Sequence, residues 1–312
     1  MKTLSLCHCR HAINVSDSYC SARRRPFVTP RLRKPTVQVP SRQDSVSCVY
    51  KSELVSSSSS REELLITLTW TRDLVRRGFD LELLDARSKR GSGCAYRLRK
   101  VKGYSSFDFD GSRIEVWWNL SAAEYDNGCE PGGQFYLMMA VDSELCLKLG
   151  NNFSADERVK KMETSPGLSK TVCFSRRERF SGSTFYSTKA KFCDSGKEHD
   201  IRIKCVKETD ESGAERPLLL VLVDGRKMVR VANLEWNFRG NQTIFFEGLV
   251  VDVMWDVQEW FFNSGRDAVF LFRTRSGPDS RLWFEEKNLF GDQLEFSLVI
   301  SGCKKHQAKS WV

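Results

Sequence analysis

Nucleophilic catalysis of the Ser/His/Asp or Cys/His kind needs a histidine beside its nucleophile. The chain of 312 residues has four: His8, His11, His199 and His306. His199 alone falls in the central body, between Glu198 and Asp200. Charged neighbours on both sides predict a solvent-facing ring at a strand entrance and no catalytic role. A zinc site rich in histidine lacks the ligands. Cys7-His8-Cys9-Arg10-His11 is the densest group of soft ligands, but its spacing fits no closed tetrahedral motif. Gly91-Ser92-Gly93 lacks the following Gly-Lys-Ser/Thr of a phosphate-cradling loop. The pairs Glu285-Glu286 and Asp108/Asp110 read as solvated strand residues. The expectation is therefore no catalytic residue, no metal and no cofactor.

Binding chemistry is easier to find. Arg176-Arg177-Glu178-Arg179 precedes Ser181, a pattern suited to an anion contact or to phosphorylation by a basophilic kinase, with neighbouring arginines pairing the phosphate. Arg239 opens Arg239-Gly240-Asn241, read as a turn because Gly240 and Asn241 tolerate positive φ. Of the eight tryptophans, Trp118 and Trp255 fall on apolar alternating faces and are expected in the core. Trp117 points to the opposite face beside Arg113 and Glu115, and is expected to be an exposed contact. Trp260 falls in a loop after a strand, where an exposed aromatic would mark a binding edge. The candidate binding residues are thus Trp117, Arg176, Arg177, Arg179, Arg239 and Trp260, with Ser181 as the modification site.

The elements that must position these residues repeat with a period of two. Ile114, Val116, Trp118 and Leu120 alternate with Arg113, Glu115, Trp117 and Asn119, which places one row on a core face. The same reading gives strands at 46–50, 64–70, 79–84, 94–98, 114–120, 135–141, 144–149, 172–174 and 185–192. It continues with 200–206, 218–223, 227–231, 234–238, 243–247, 250–257, 268–273, 281–285 and 294–300. Asp110-Gly111, Asn127-Gly128 and Asp224-Gly225 mark turns, the last a two-residue hairpin signal. One helix is expected at 154–162, where Ser154 and Glu157 form a capping-box pattern. Ser56 to Ser60 form a low-complexity loop.

An internal likeness organises the strands. Phe107-Asp108-Phe109-Asp110-Gly111 and the strand after it resemble Ile244-Phe245-Phe246-Glu247-Gly248 and its following strand, at a spacing of 137. The expected fold is all-β: an antiparallel sandwich or barrel with two similar halves, at 44–150 and 171–300. A linker at 151–170 carries the helix, and 301–312 is a C-terminal tail. Two small domains side by side are the other arrangement this pattern allows.

Charge separates the body from the first 43 residues. Of 49 Lys+Arg and 40 Asp+Glu, residues 1–43 hold nine and one, leaving 40 and 39 for the body. Eight of the net nine positive charges thus belong to the tail, and a nearly neutral body gives no case for nucleic acid. The tail, rich in Ser, Arg and Pro, has the composition of an organellar transit peptide or of a disordered extension. Cytoplasm or nucleus is the expected compartment unless the tail targets a chloroplast or mitochondrion. No stretch approaches the roughly 20 apolar residues of a membrane span. Eleven cysteines, odd in number and without a CxxC pair, read mostly as small buried hydrophobes.

Several segments together resemble the plant family catalogued as domain of unknown function 868. They are Ser45-Val46-Ser47-Cys48-Val49-Tyr50, Leu65-Ile66-Thr67-Leu68-Thr69-Trp70, 185–192 (FYSTKAKF), 196–201 (GKEHDI), 234–243 (LEWNFRGNQT), 251–260 (VDVMWDVQEW) and 282–285 (LWFE). The likeness spans roughly 44–300, with Thr71-Arg72-Asp73 standing where the family has Cys-Lys-Asn. It implies kinship and fold but no activity, ligand or catalytic residue. The expectation for function is a non-enzymatic interaction module with a protein partner, its oligomeric state left open. The alternative is a β-barrel for a lipid or small ligand, with Trp118 and Trp255 lining a cavity.

Overall fold

The computed structural model describes residues 40–54, 62–72, 78–85, 93–125, 128–153, 169–182, 184–193, 196–209, 213–258, 267–275 and 295–303. The expected helix at 154–162, the strand at 281–285, Trp260 and the tail to residue 39 lie outside them.

The first half contributes β1 (Arg42–Leu54), β2 (Glu62–Thr71), β3 (Phe79–Asp85) and β4 (Gly93–Leu98), then β5 (Lys102–Phe109), β6 (Ser112–Glu124), β7 (Gly132–Val141) and β8 (Glu144–Gly150). The second contributes β9 (Lys170–Ser181), β10 (Phe185–Lys191), β11 (Glu198–Thr209), β12 (Glu215–Val223) and β13 (Arg226–Val231). It ends with β14 (Arg239–Phe246), β15 (Leu249–Asp256), β16 (Ala268–Thr274) and β17 (Ser297–Cys303). A nine-stranded sheet runs β14-β15-β16-β17-β9-β1-β2-β3-β4, and two four-stranded meanders run β5 to β8 and β10 to β13. Every pairing is antiparallel except that of β17 with β9.

Each meander covers one half of the large sheet. Val46, Ile66, Leu68, Phe79 and Leu81 pack with Ile114, Val116, Trp118, Leu120 and Leu137. Ile201, Ile203, Leu219 and Val221 pack with Val251, Val253, Phe270, Phe272, Leu298 and Ile300. The architecture is therefore an all-β sandwich in two compartments that share one broad sheet. Among the described residues no sheet closes on itself, so the barrel alternative is corrected. The reason is visible at Trp118 and Trp255. Each ring lies flat over a cross-strand glycine, Gly103 and Gly240 respectively, and is 3% and 8% exposed. A Cβ on Gly103 would stand 2.6 Å from Trp118 Cζ2, and one on Gly240 would stand 2.3 Å from Trp255 Cζ2. Both rings fill core rather than line a cavity.

The two sites agree in detail at the spacing of 137. Trp118 Nε1 donates to Lys100 O at 2.8 Å, and Trp255 Nε1 donates to Asn237 O at 2.9 Å. Gly240 is thus not a turn residue. It is the second residue of β14, and its missing side chain admits the indole. The turn lies just before it, in 232–238, where a strand was expected at 234–238. β5 went unread because its inward row begins with Gly103 and Ser105 and turns apolar only at Phe107 and Phe109.

Hairpin tips Asp110-Gly111, Asp224-Gly225 and Glu247-Gly248 all carry positive φ at both residues, the geometry that matches strand twist in a two-residue turn.

Candidate functional site

The basic run is the clearest case of a sequence cluster that the pleat divides. Within β9, Arg176 and Glu178 point inward while Arg177 and Arg179 point out from the broad sheet. Arg179 Nη2 pairs with Asp267 at 3.2 Å and is 55% exposed, whereas the Arg176 side chain is 16% exposed. Its guanidinium grips Glu130 with both terminal nitrogens, at 2.8 and 2.5 Å. Its Nε donates to Glu178 Oε1 at 2.5 Å. Burial by itself lowers the pKa of a guanidinium, but the carboxylates of Glu178 and Glu130 outweigh it and hold Arg176 well above its ordinary value.

This pair is the centre of a wider polar seam. Glu178 also accepts from Thr188 Oγ1 at 2.7 Å and from Gln43 Nε2 at 2.8 Å. Gln43 Oε1 in turn accepts the Cys129 backbone N–H at 2.8 Å. β1, β9 and β10 meet the segment before β7 here, so the network joins the two compartments. Arg176 Nη1 also reaches Cys48 Sγ at 3.6 Å. The hydrogen bond to Cys173, burial and Glu130 push the Cys48 thiol up; the same bond, aided by Arg176 and opposed by burial, holds Cys173 down.

Two expected contacts are corrected. Trp117 is 8% exposed, so the outer face of the β5–β8 meander is not simply solvated. Tyr136, Met138, Leu145 and Phe153 form a third small core with it, and Tyr104 lies 5.4 Å away, centroid to centroid. Ser181 is 7% exposed and its hydroxyl donates to Asp44 Oδ1 at 3.0 Å. The expected solvent-facing hydroxyl is thus buried, beside a carboxylate that would repel a phosphate.

Arg239 stays exposed at the start of β14, with Nε 2.8 Å from Asp256 Oδ2. Beside it stands a residue the sequence did not single out as exposed. Trp236 is 81% exposed on the turn that leads into β14. That turn is fixed: Trp236 N and Asn237 N donate to Asn233 O at 2.9 and 3.1 Å, and Asn237 Nδ2 donates to Ala232 O at 2.9 Å. β14 is hydrogen-bonded only to β15 among the described strands, so its outer backbone groups form a sheet edge. Gln242 and Phe245 are exposed along it, Phe245 by 56%.

His199 is the other correction. It is 2% exposed, in phase with the buried Ile201 and Ile203 of β11. That phase was the signal available in the sequence; the charged neighbours, Glu198 and Asp200, point the other way. Nδ1 forms a hydrogen bond with Asp224 Oδ2 at 2.8 Å, and Nε2 lies 3.3 Å from Glu247 Oε2. Asp224 Oδ1 accepts the Asp200 N–H at 3.0 Å. The His199 and Asp200 hydrogen bonds hold the Asp224 carboxyl below its usual range. Lys197 pairs with Glu247 Oε1. The three residues of this cluster are 25 and 23 positions apart, too scattered to form a motif.

An open two-compartment β-sandwich, with an edge strand at one margin and a buried imidazole between two carboxylates, defines the class of protein. The chain matches the family described as plant protein of unknown function (DUF868) over residues 41–310, and it belongs to that family. No curated protein and no solved structure matches it. No helix among the described residues is long and apolar enough to cross a membrane.

Proposed function

We propose that the chain is a non-enzymatic interaction module whose partner is an extended segment of another protein, added along β14 and anchored on Trp236. The observation that carries this reading is the 81% exposure of Trp236 on a hydrogen-bonded turn directly before a sheet edge. Large aromatic side chains supply much contact area with few rotors to immobilise, and they dominate binding energy when a partner covers them. A strand edge offers a row of backbone donors and acceptors to an incoming strand. Arg239, Gln242 and Phe245 lie along the same strand and would contact the added segment.

The non-enzymatic part rests on His199. Among the described residues its one hydrogen bond goes to Asp224, and no Ser, Thr or Cys side chain there is hydrogen-bonded to it. We further read the agreement of the Gly103/Trp118 and Gly240/Trp255 pairs at a spacing of 137 as an internal repeat, with β14–β15 the second copy of β5–β6.

A photo-crosslinking residue at Gln242 of the full-length protein, expressed in plant cells, tests the binding reading. The expected result is a discrete protein adduct that Trp236→Ala reduces about 30-fold, the effect of a 2 kcal/mol anchor. Trp236 is exposed, so the melting temperature should not change. An undiminished adduct from a folded Trp236→Ala variant would falsify the assignment.

A further inference from the structure

Two hairpin tips from opposite sheets converge on one buried ring. Asp224 begins the β12–β13 tip of the second meander, and Glu247 begins the β14–β15 tip of the broad sheet. His199 stands between them. Phe246 meets its ring edge-on at 4.9 Å between centroids, and Phe192 lies 6.1 Å away, so the imidazole is held in place by apolar walls.

The hydrogen bonds assign its two nitrogens different roles. Both Asp224 oxygens are engaged, one by the Asp200 N–H and the other by Nδ1. An ionised carboxylate only accepts, so Nδ1 carries a hydrogen. In the neutral ring, Nε2 then presents a lone pair. That lone pair faces the Glu247 carboxylate at 3.3 Å. In that form the two electron-pair donors stand close enough to share one cation, in place of the proton that would otherwise join them as an ion pair. Two ligands on a tetrahedral metal, with bonds of about 2.0–2.1 Å, stand about 3.3–3.4 Å apart. One ligand atom from each of His199, Asp224 and Glu247 lies within 4.8 Å of the others.

We propose that this end of the second compartment binds a divalent transition-metal cation of the zinc class. His199 Nε2 and Glu247 Oε2 are its direct ligands, Asp224 orients the imidazole through Nδ1, and solvent completes the shell. The carboxylate–imidazole–metal chain is the usual way a metal-binding histidine is held in one tautomer. An imidazole ligand selects zinc-like ions over calcium or magnesium, which prefer oxygen. Asp224 and Glu247 are each 41% exposed, so solvent has access to the open positions. Lys197 occupies the other Glu247 oxygen and leaves Oε2 facing the ring. The positions 137 earlier than His199 and Glu247 hold Glu62 and Asp110, so the first compartment has no imidazole at its corresponding tip.

The test is isothermal titration of chelator-treated, full-length protein with zinc, with magnesium as the control, beside thermal melts. We expect one zinc site, a higher melting temperature with zinc, and no response to magnesium. Glu247→Gln lies on an exposed tip and should fold. It should weaken zinc binding at least tenfold. Lys197→Met removes a competing positive charge and should tighten it several-fold. The tail cluster of Cys7 and Cys9 is a second possible zinc ligand set, so Cys7→Ser/Cys9→Ser is run in parallel. Zinc binding that survives Glu247→Gln and disappears in the cysteine variant overturns the proposal. So does the absence of any zinc response.

Discussion

Replacing Arg176 with Met asks what the polar seam contributes. The substitution keeps most of the side-chain volume and removes the guanidinium. Glu178, whose side chain is fully buried, is then left with Thr188 and Gln43 as its side-chain donors among the described residues. Glu130 is 33% exposed and can recover solvent, so its loss matters less. Stranding one buried member of an ion pair costs about 3–5 kcal/mol, and the partial exposure of Glu130 places the expectation near about 3 kcal/mol. Urea unfolding, followed by circular dichroism and tryptophan fluorescence, measures it as a shift in midpoint at constant slope. Adding Glu178→Gln removes the stranded charge while leaving groups that can meet Thr188 and Gln43. The double variant should regain at least half of the loss. The reasoning fails if Arg176→Met costs less than about 1 kcal/mol, the range of a solvated surface pair, or if the double variant is no more stable than the single one.

Two more outcomes follow from local geometry. Gly240→Ala places a Cβ 2.3 Å from the Trp255 ring and Gly103→Ala places one 2.6 Å from Trp118, so each should destabilise by about 1–3 kcal/mol in thermal melts; an unchanged melting temperature would show that the indoles move freely. Burial raises the Asp252 carboxyl, but hydrogen bonds from Arg275 at 2.6 and 2.8 Å and from Thr243 at 2.7 Å outweigh it and depress its pKa. A depressed folded-state pKa gives stability that is present above about pH 4 and is lost as pH falls through the folded value. The stability gap between wild type and Asp252→Asn should therefore narrow from pH 7 to pH 3, and a constant gap would contradict the assignment.

The all-β character was legible because it is a local property. Ile114, Val116, Trp118 and Leu120 announce a one-sided strand, and Asp224-Gly225 announces its hairpin, without reference to any distant residue. The core positions of Trp118 and Trp255 followed from the same alternation. Alternation also held the answer for the basic run. Arg176 and Glu178 share one face and Arg177 and Arg179 the other, but which face is inside depends on what lies across from β9.

That decision belongs to the tertiary structure. Trp117 reads as outward and is buried, packed beside Tyr136 and Met138 of the neighbouring strand and against Phe153 beyond β8. Ser181 reads as a modifiable loop serine and is held by Asp44, which is 137 positions away. His199 reads as solvated and is enclosed by residues 25 and 48 positions downstream, which two hairpin tips bring to it. By itself the sequence determined strand, turn and the charge division between the tail and a nearly neutral body. Burial, ion pairing and the meeting of His199 with two carboxylates depend on which sheet covers which. Long-range strand pairing sets that, and one residue's period does not encode it.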